Sequence, residues 1–489
     1  PVNKNGYLYY NRFKKGDDYA LYCRKKGSEN NQEEVMLNGP EMGKNESYFA
    51  IGGNSVSPNN KLLAYSVDLI SRREYTIYIK VLSTGETLTD KIENTTGSAI
   101  WANDNKTIFY TKKDPVTLRS YQIYKHVIGT DQTNDVLVFE EKDDTFSCTI
   151  YKSKSEKYLM IQSYHTLSTE CRFLDADTPN GTWKVLLPRE ENHEYSASHY
   201  GNEFYIITND GAKNFRLVKT PESNTTKSNW KEVIAHRSDV LLEDIEIFKD
   251  QYVLTERKNG LTQLRVIKWS DASEHYIEFK DPAYMAYISV NPEFDTKELR
   301  YGYTSLTTPN TIYDYNMHDR TQIQRKQTEV VDTDFSPENY LSERVFTTVR
   351  DGEKVPISIV YKKGTKLDGN SPLLLYAYGS YGASMDAYFS SVRLSLLDRG
   401  FIYAIAHIRG GQEMGRHWYE GGKLLKKKNT FYDFIDCGKH LAENNYTSAE
   451  HLYAMGGSAG GLLMGAIVNM NPELWNGVIA AVPFVDVVS

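Results

Sequence analysis

A seven-bladed β-propeller over residues 1–335, followed by an α/β domain over residues 336–489, is the fold class this sequence predicts. Three observations predict it. A strand pair recurs through the first part, strands begin to alternate with helices after Pro337, and a serine bracketed by glycines sits between one late strand and the next helix.

Short apolar strands that follow a polar turn begin at Gly6 (GYLYY), Lys61 (KLLAYS), Lys106 (KTIFYT), Lys157 (KYLMIQS), Glu203 (EFYIIT), Gln251 (QYVLTE) and Glu298 (ELRYGY). Each has a partner downstream, in order YALYCRK, YTIYIKV, YQIYKHV, CRFLDAD, NFRLVKT, TQLRVIK and NTIYDYN, so hairpin units recur at roughly 45 to 55 residues. One four-stranded blade cannot bury both of its faces, whereas packing between two neighbours buries them and leaves only short edges. A pair of sandwiches would give strands every ~8 to 12 residues with no higher period.

After Pro337 the strand candidates SERVFTTV, VPISIVYK, PLLLYAYG, FIYAIAH, LYAMGG and VIAAV are joined by SSVRLSLLDRG, TFYDFIDCGKHLAEN and AGGLLMGAIVNM, which have helical spacing. That alternation predicts a parallel sheet covered by helices, with chemistry at the carboxyl ends of its strands.

Composition narrows the partners. The 57 Lys+Arg and 64 Asp+Glu give a charge of −7 spread along the chain, which disfavours nucleic acid. The cysteines Cys23, Cys148, Cys171 and Cys437 form no CxxC pair and no metal-ligand cluster, so buried free thiols, a reducing compartment and no metal are expected. No run approaches the ~18 apolar residues of a membrane span, and PVNKNGYLYY is not ordered like a signal peptide, so a cytoplasmic address without a membrane partner is expected. The start at Pro1, without Met, fits a processed protein or a fragment.

Gly456, Gly457, Ser458, Ala459 and Gly460 satisfy G-x-S-x-G between a strand and a helix. Small neighbours permit the sharp turn that exposes a serine hydroxyl, and the turn aims the Ala459 N–H at a substrate oxygen, so Ser458 is expected to be a nucleophile. No Lys follows the glycines as a phosphate-binding loop requires. The serine needs a base, ordinarily a His that follows an acid later in the chain. Here the last histidine is His451, and only Glu473 and Asp486 are acidic after Ser458, so no triad is complete in the sequence. Asp486 as a triad acid and His407 as a site residue are the weaker readings beside structural roles. A second oxyanion donor could come from Tyr376, Tyr378 or Tyr381 in LLYAYGSYGAS, or these could simply pack. The run Lys426–Lys428 reads as a solvated face.

The stretches YAYGSYGAS, AHIRGGQEMGRHWYEGGKLLKKKNTFYDFID, YAMGGSAGGLLMGA and NPELWNGVIAAVPFVDVV resemble the catalytic domain of the prolyl oligopeptidase family, and its oligopeptidase B branch most. The resemblance implies an α/β-hydrolase domain, incomplete at its C-terminal end. It implies a serine endo-oligopeptidase that forms an acyl-enzyme on Ser458 and cuts short peptides, after Arg or Lys in that branch. It matches Tyr378 and Ala459 to the oxyanion donors and Asp386 to an acidic substrate-binding position, with Tyr388 where a second acid is often found. No cofactor is implied, and oligomeric state is left open. It also implies that a helical segment before the propeller and the strands carrying the catalytic Asp and His are missing, so that the chain is truncated at both ends and nearly inactive by itself. The alternatives are a prolyl-specific or other peptidase or esterase of the superfamily, or a catalytically dead propeller-based peptide-binding protein. Dipeptidyl peptidases of this superfamily usually carry Trp-Ser-Tyr at the nucleophile, where this sequence has Gly-Ser-Ala.

Overall fold

The structure, a computed structural model, describes residues 1–331 and 334–486. It divides into two compact units. The first comprises Pro1–Asp210, Leu217–Ile234 and Asn291–Asp295, and the second comprises Gly211–Arg216, Ala235–Val290 and the chain from Thr296 onward.

In the first unit three antiparallel four-stranded sheets run from Val2–Lys4 to Glu33–Asn38, from Ser147–Lys152 to Lys184–Leu187, and from Tyr195–Tyr200 to Lys231–Ile234. Alternation decides what each buries. From Tyr158–His165 and Ser168–Asp175 of one sheet and Glu203–Thr208 of the next, Tyr158, Met160, Phe173, Phe204 and Ile206 point into one shared core. The second unit holds two more such sheets, from Val240–Ile247 to Glu274–Tyr276 and from Tyr284–Ile288 to Gln322–Gln327, which share a core of Val253, Leu264, Tyr284, Leu299 and Tyr301. All four cysteines are buried and unpaired.

The blade count differs from the sequence reading. Five separate four-stranded blades form, and the strands between Ala50 and Glu140 make one seven-stranded sheet, so the molecule is not built from seven separate blades. The cause is the 15-residue strand Thr87–Trp101, which pairs with Tyr75–Val81 through its first part and with Thr107–Lys113 through its last. TLTDKIENTTGSAIW has no proline, and its one glycine, Gly97, is absorbed as a register shift between Thr95 and Ala99 instead of ending the strand.

The rest of the second unit is a six-stranded sheet of β1 (Tyr340–Thr348), β2 (Lys354–Lys362), β3 (Leu373–Tyr376), β4 (Ile402–Ala406), β5 (Leu452–Gly457) and β6 (Gly477–Ala481), in the order β1-β2-β4-β3-β5-β6. The sheet is mixed, which corrects the parallel expectation: β1, β2 and β4 are antiparallel neighbours, and only β4, β3, β5 and β6 are parallel. The five residues between β1 and β2 can close a hairpin but not a crossover. The helices are α1 (Ser391–Leu397), α2 (Arg416–Glu420), α3 (Lys428–Glu443) and α4 (Ala459–Met470). Along β3, Leu373 and Leu375 face Phe434, Ile435 and Leu441 of α3, whereas Leu374 faces Leu394 and Leu397 of α1. Among the described residues no helix is long and apolar enough to cross a membrane.

Candidate active site

β5 is buried at every second position and ends in Gly456 and Gly457, after which Ser458 takes φ 54° and ψ −115° and α4 begins at Ala459. That backbone geometry is unfavourable for a residue with a Cβ and persists only where its surroundings over-determine it. They do so through backbone hydrogen bonds. The Ser458 N–H donates to the Ala481 carbonyl at 3.0 Å, and the Ser458 carbonyl accepts from Phe484 and Gly461, each at 2.9 Å, and from Leu462 at 3.4 Å. The side chain is exposed, and among the described residues its hydroxyl has no hydrogen-bond partner. The turn closes only with glycines: a Cβ on Gly456 would stand 2.3 Å from the Gly460 carbonyl oxygen, and one on Gly460 would stand 2.9 Å from that of Ala377.

The second contact sets Tyr378 beside the elbow, because the first turn of α4 lies directly on the backbone that leaves β3. Ala459 is the first residue of α4, so its N–H has no acceptor within the helix. Tyr378 is half-buried, and among the described residues its hydroxyl is likewise unpaired. Tyr381 is 65% exposed, and Tyr376 turns its hydroxyl to the Met385 sulfur at 3.9 Å. Of the three tyrosines, Tyr378 is the one carried by the backbone against the helix start.

Two supports of this turn are invisible in the sequence pattern. Lys427, from the run read as a solvated face, is half-buried; its ammonium donates to the Gly379 carbonyl at 2.5 Å and to Ser380 Oγ at 2.6 Å. Burial pulls its pKa down to about 8. Lys427→Met leaves both acceptors unsatisfied and is expected to destabilise the protein by about 1 to 3 kcal/mol, read from the urea midpoint. The other support is Arg409, whose guanidinium grips Asp433 at 2.9 and 2.6 Å and Asp351 at 2.6 Å. It fixes the 408–411 loop, in which Gly410, at φ 102°, lies so close to the Gly379 carbonyl that a Cβ would stand 2.0 Å from that oxygen.

Comparison with known proteins gives the family. Residues 1–328 match the prolyl oligopeptidase N-terminal beta-propeller domain, and residues 387–489 match the prolyl oligopeptidase family. The chain belongs to the prolyl oligopeptidase family, which is a family of serine peptidases. It is 45% identical to Dipeptidyl aminopeptidase BI of Pseudoxanthomonas mexicana, over 100% of this chain and 69% of that protein. It is 37% identical to Protease 2 of Moraxella lacunata, over 100% of this chain and 71% of that protein. Among solved structures, oligopeptidase B from Leishmania major superposes with a TM-score of 0.93 at 35% identity, covering 100% of this chain and 70% of that one.

Asp386 is half-buried, and both of its oxygens are held by Arg257 at 2.5 and 3.1 Å, while Arg257 Nε donates to Glu243 at 2.9 Å. The Arg257 guanidinium is thus shared between two carboxylates, those of Asp386 and Glu243. His407 is buried, with Nε2 2.7 Å from Ser358 Oγ, and burial followed by the nearby Arg344 and Arg257 pushes its pKa down to about 3, so the ring is neutral and built into the sheet. Asp486 is exposed at the end of the described residues. No group of three or more His, Cys, Asp or Glu is placed to hold a metal among the described residues.

Glu413, which sequence reasoning passed over in GGQEMG, is 2% exposed; Oε1 accepts the Met385 N–H at 2.8 Å and Oε2 is buried with no partner. Burial raises its pKa to about 7 from an ordinary 4.5. Between those values the folded protein keeps a proton that the unfolded chain has released, so this group's contribution to stability is present below about pH 4.5 and is lost as pH rises through about 7. Glu413→Gln is expected to remove that slope. Between pH 5 and pH 8 the unmodified protein should lose on the order of 2 kcal/mol more than the variant, measured by urea unfolding at each pH.

Proposed function

We propose that the chain carries the nucleophile and oxyanion site of a serine endo-oligopeptidase that cuts short peptides, after Arg or Lys. The observation that carries this reading is Ser458, held at positive φ between β5 and α4 with an exposed, unpaired hydroxyl beside the Tyr378 turn. Ser458 Oγ attacks the scissile carbonyl carbon. As the C–O bond forms, the carbonyl electrons move onto oxygen, and the Tyr378 hydroxyl and the Ala459 N–H stabilise that charge. The C–N bond then breaks as the amine leaves with a proton, and water hydrolyses the resulting ester to regenerate the serine.

A general base must accept the Ser458 proton and return it to the amine. No histidine follows Ser458 in the 489 residues, and His407 is engaged with Ser358, so we assign the base and its orienting carboxylate to residues outside this sequence. The chain by itself is accordingly expected to be nearly inactive. No cofactor is required by these steps. Specificity for Arg and Lys rests on the resemblance to oligopeptidase B. Because Asp386 is occupied by Arg257, it does not offer a free carboxylate to a cationic side chain.

A second reading, removal of dipeptides from a free N-terminus, is favoured by the 45% identity to Dipeptidyl aminopeptidase BI. Fluorogenic peptides with Arg, Lys, Pro or Ala before the scissile bond, each with a blocked and a free N-terminus, separate the two. They are offered to the 489-residue chain and to the chain extended C-terminally with the corresponding segment of Dipeptidyl aminopeptidase BI. Cleavage of blocked Arg and Lys substrates by the extended chain supports the proposal. Cleavage only of the substrates with a free N-terminus favours the second reading, cleavage after Pro a prolyl peptidase, and full activity in the short chain contradicts the external base.

A further inference from the structure

Lys427 stands where a cation is poorly placed. It is the residue from which α3 starts, at the positive end of the helix dipole, and its side chain makes no capping hydrogen bond there. It is also half-buried, and that burial pulls its pKa down to about 8. Arg409 of the 408–411 loop and Asp433 of α3 are paired with each other, Arg409 also with Asp351. Lys426 and Lys428 flank Lys427 in the same run, and Tyr378 and Tyr381 are the titratable groups of the turn it reaches.

What the ammonium holds is the chain leaving β3. It donates to the Gly379 carbonyl at 2.5 Å and to Ser380 Oγ at 2.6 Å, on the two residues that follow Tyr378. The turn needs holding, because Tyr381 stands at φ 58°, unfavourable for a residue with a Cβ. On one side the Gly382 N–H donates to the Gly410 carbonyl at 2.9 Å. On the other the first turn of α4 lies so close that a Cβ on Gly460 would stand 3.4 Å from Tyr378 Cα. A shift of the Gly379–Ser380 peptide is therefore passed to Tyr378.

We propose that Lys427, through its charged ammonium, is a positioning residue for the oxyanion site, holding the Gly379–Ser380 peptide so that the Tyr378 hydroxyl meets the charge developing on the substrate oxygen. This rests on the peptidase reading above. That charge forms only as Ser458 Oγ bonds to carbon, so a loosened turn lowers kcat and spares KM. Above about pH 8 the ammonium loses a proton, one donor and the charge that strengthens the others, so kcat should fall as pH rises through that value.

The test is steady-state kinetics of the extended chain from about pH 6 to 9. Lys427→Met should lower kcat about ten- to a hundredfold with KM within about twofold. Lys427→Arg, which stays charged, should keep most of kcat at neutral pH and lose the alkaline fall. Tyr378→Phe combined with Lys427→Met should be no slower than Tyr378→Phe alone, because the lysine acts through the tyrosine. Additive losses, an unchanged kcat in Lys427→Met, or an alkaline fall that survives Lys427→Arg would overturn the proposal. Hydrogen exchange of residues 376–383 in the 489-residue chain reads the tether without turnover. It should quicken at least about tenfold in Lys427→Met and not in Lys427→Arg. Unchanged exchange would overturn the proposal and leave the peptidase reading in place. Quickened exchange in Lys427→Met beside an extended chain that turns over no peptide would instead overturn the reading on which the proposal rests.

Discussion

Ser458→Ala is expected to lower peptide turnover by the extended chain on the order of 10⁴- to 10⁶-fold while leaving its stability within about 0.5 kcal/mol. The two parts of the prediction have separate causes. The hydroxyl makes no hydrogen bond among the described residues, so the fold does not depend on it. The backbone bonds that hold φ at 54°, to Ala481, Gly461 and Phe484, are the same in Ala as in Ser. The proposed reaction, by contrast, has no covalent route without Ser458 Oγ. Steady-state kinetics together with a urea titration of the same preparation reads both. A variant that keeps activity, or one that unfolds, contradicts this account of the elbow.

The largest effect on stability is expected from Asp433→Ala. Asp433 is fully buried and holds the nearly buried Arg409 through two side-chain hydrogen bonds and its backbone N–H through a third. Removing the carboxylate strands a buried guanidinium with only the half-exposed Asp351 to face it, at a cost of about 3 to 5 kcal/mol. Asp433→Asn keeps the volume and one acceptor and should lose less. Because Arg409 fixes the loop on which Gly410 abuts Gly379, the loss should also disturb the Tyr378 turn. Denaturant midpoints order the three proteins; equal midpoints would mean that the ion pair contributes nothing net.

Local pattern carried much of this molecule into view. All seven strand pairs seen in the sequence form, because each is a hairpin whose turn and alternation lie within about 25 residues. The six strands and three long helical segments after Pro337 were equally legible, as was the serine turn, which small residues impose locally. What escaped depended on distance or on phase. The continuity of Thr87–Trp101 hinged on Gly97 being absorbed into a paired strand, which only its neighbour decides. Lys427 is one of three adjacent lysines, and only the approach to α3 selects which of them reaches Gly379. The engagement of Asp386 by Arg257 spans 129 residues, and the burial of Glu413 in a glycine-rich stretch comes from chain packed over it. Neither leaves a mark in local composition.

Fluorophosphonate labelling followed by peptide mapping reads whether Ser458 is a nucleophile that needs a base from outside the 489 residues. The 489-residue chain should label slowly if at all. The extended chain should label fast, with the adduct on the peptide containing Ser458 and none in Ser458→Ala. An extended chain that folds and binds peptides yet leaves Ser458 unlabelled, or that carries its adduct on another serine, would contradict the account and point to a binding protein built on the same scaffold.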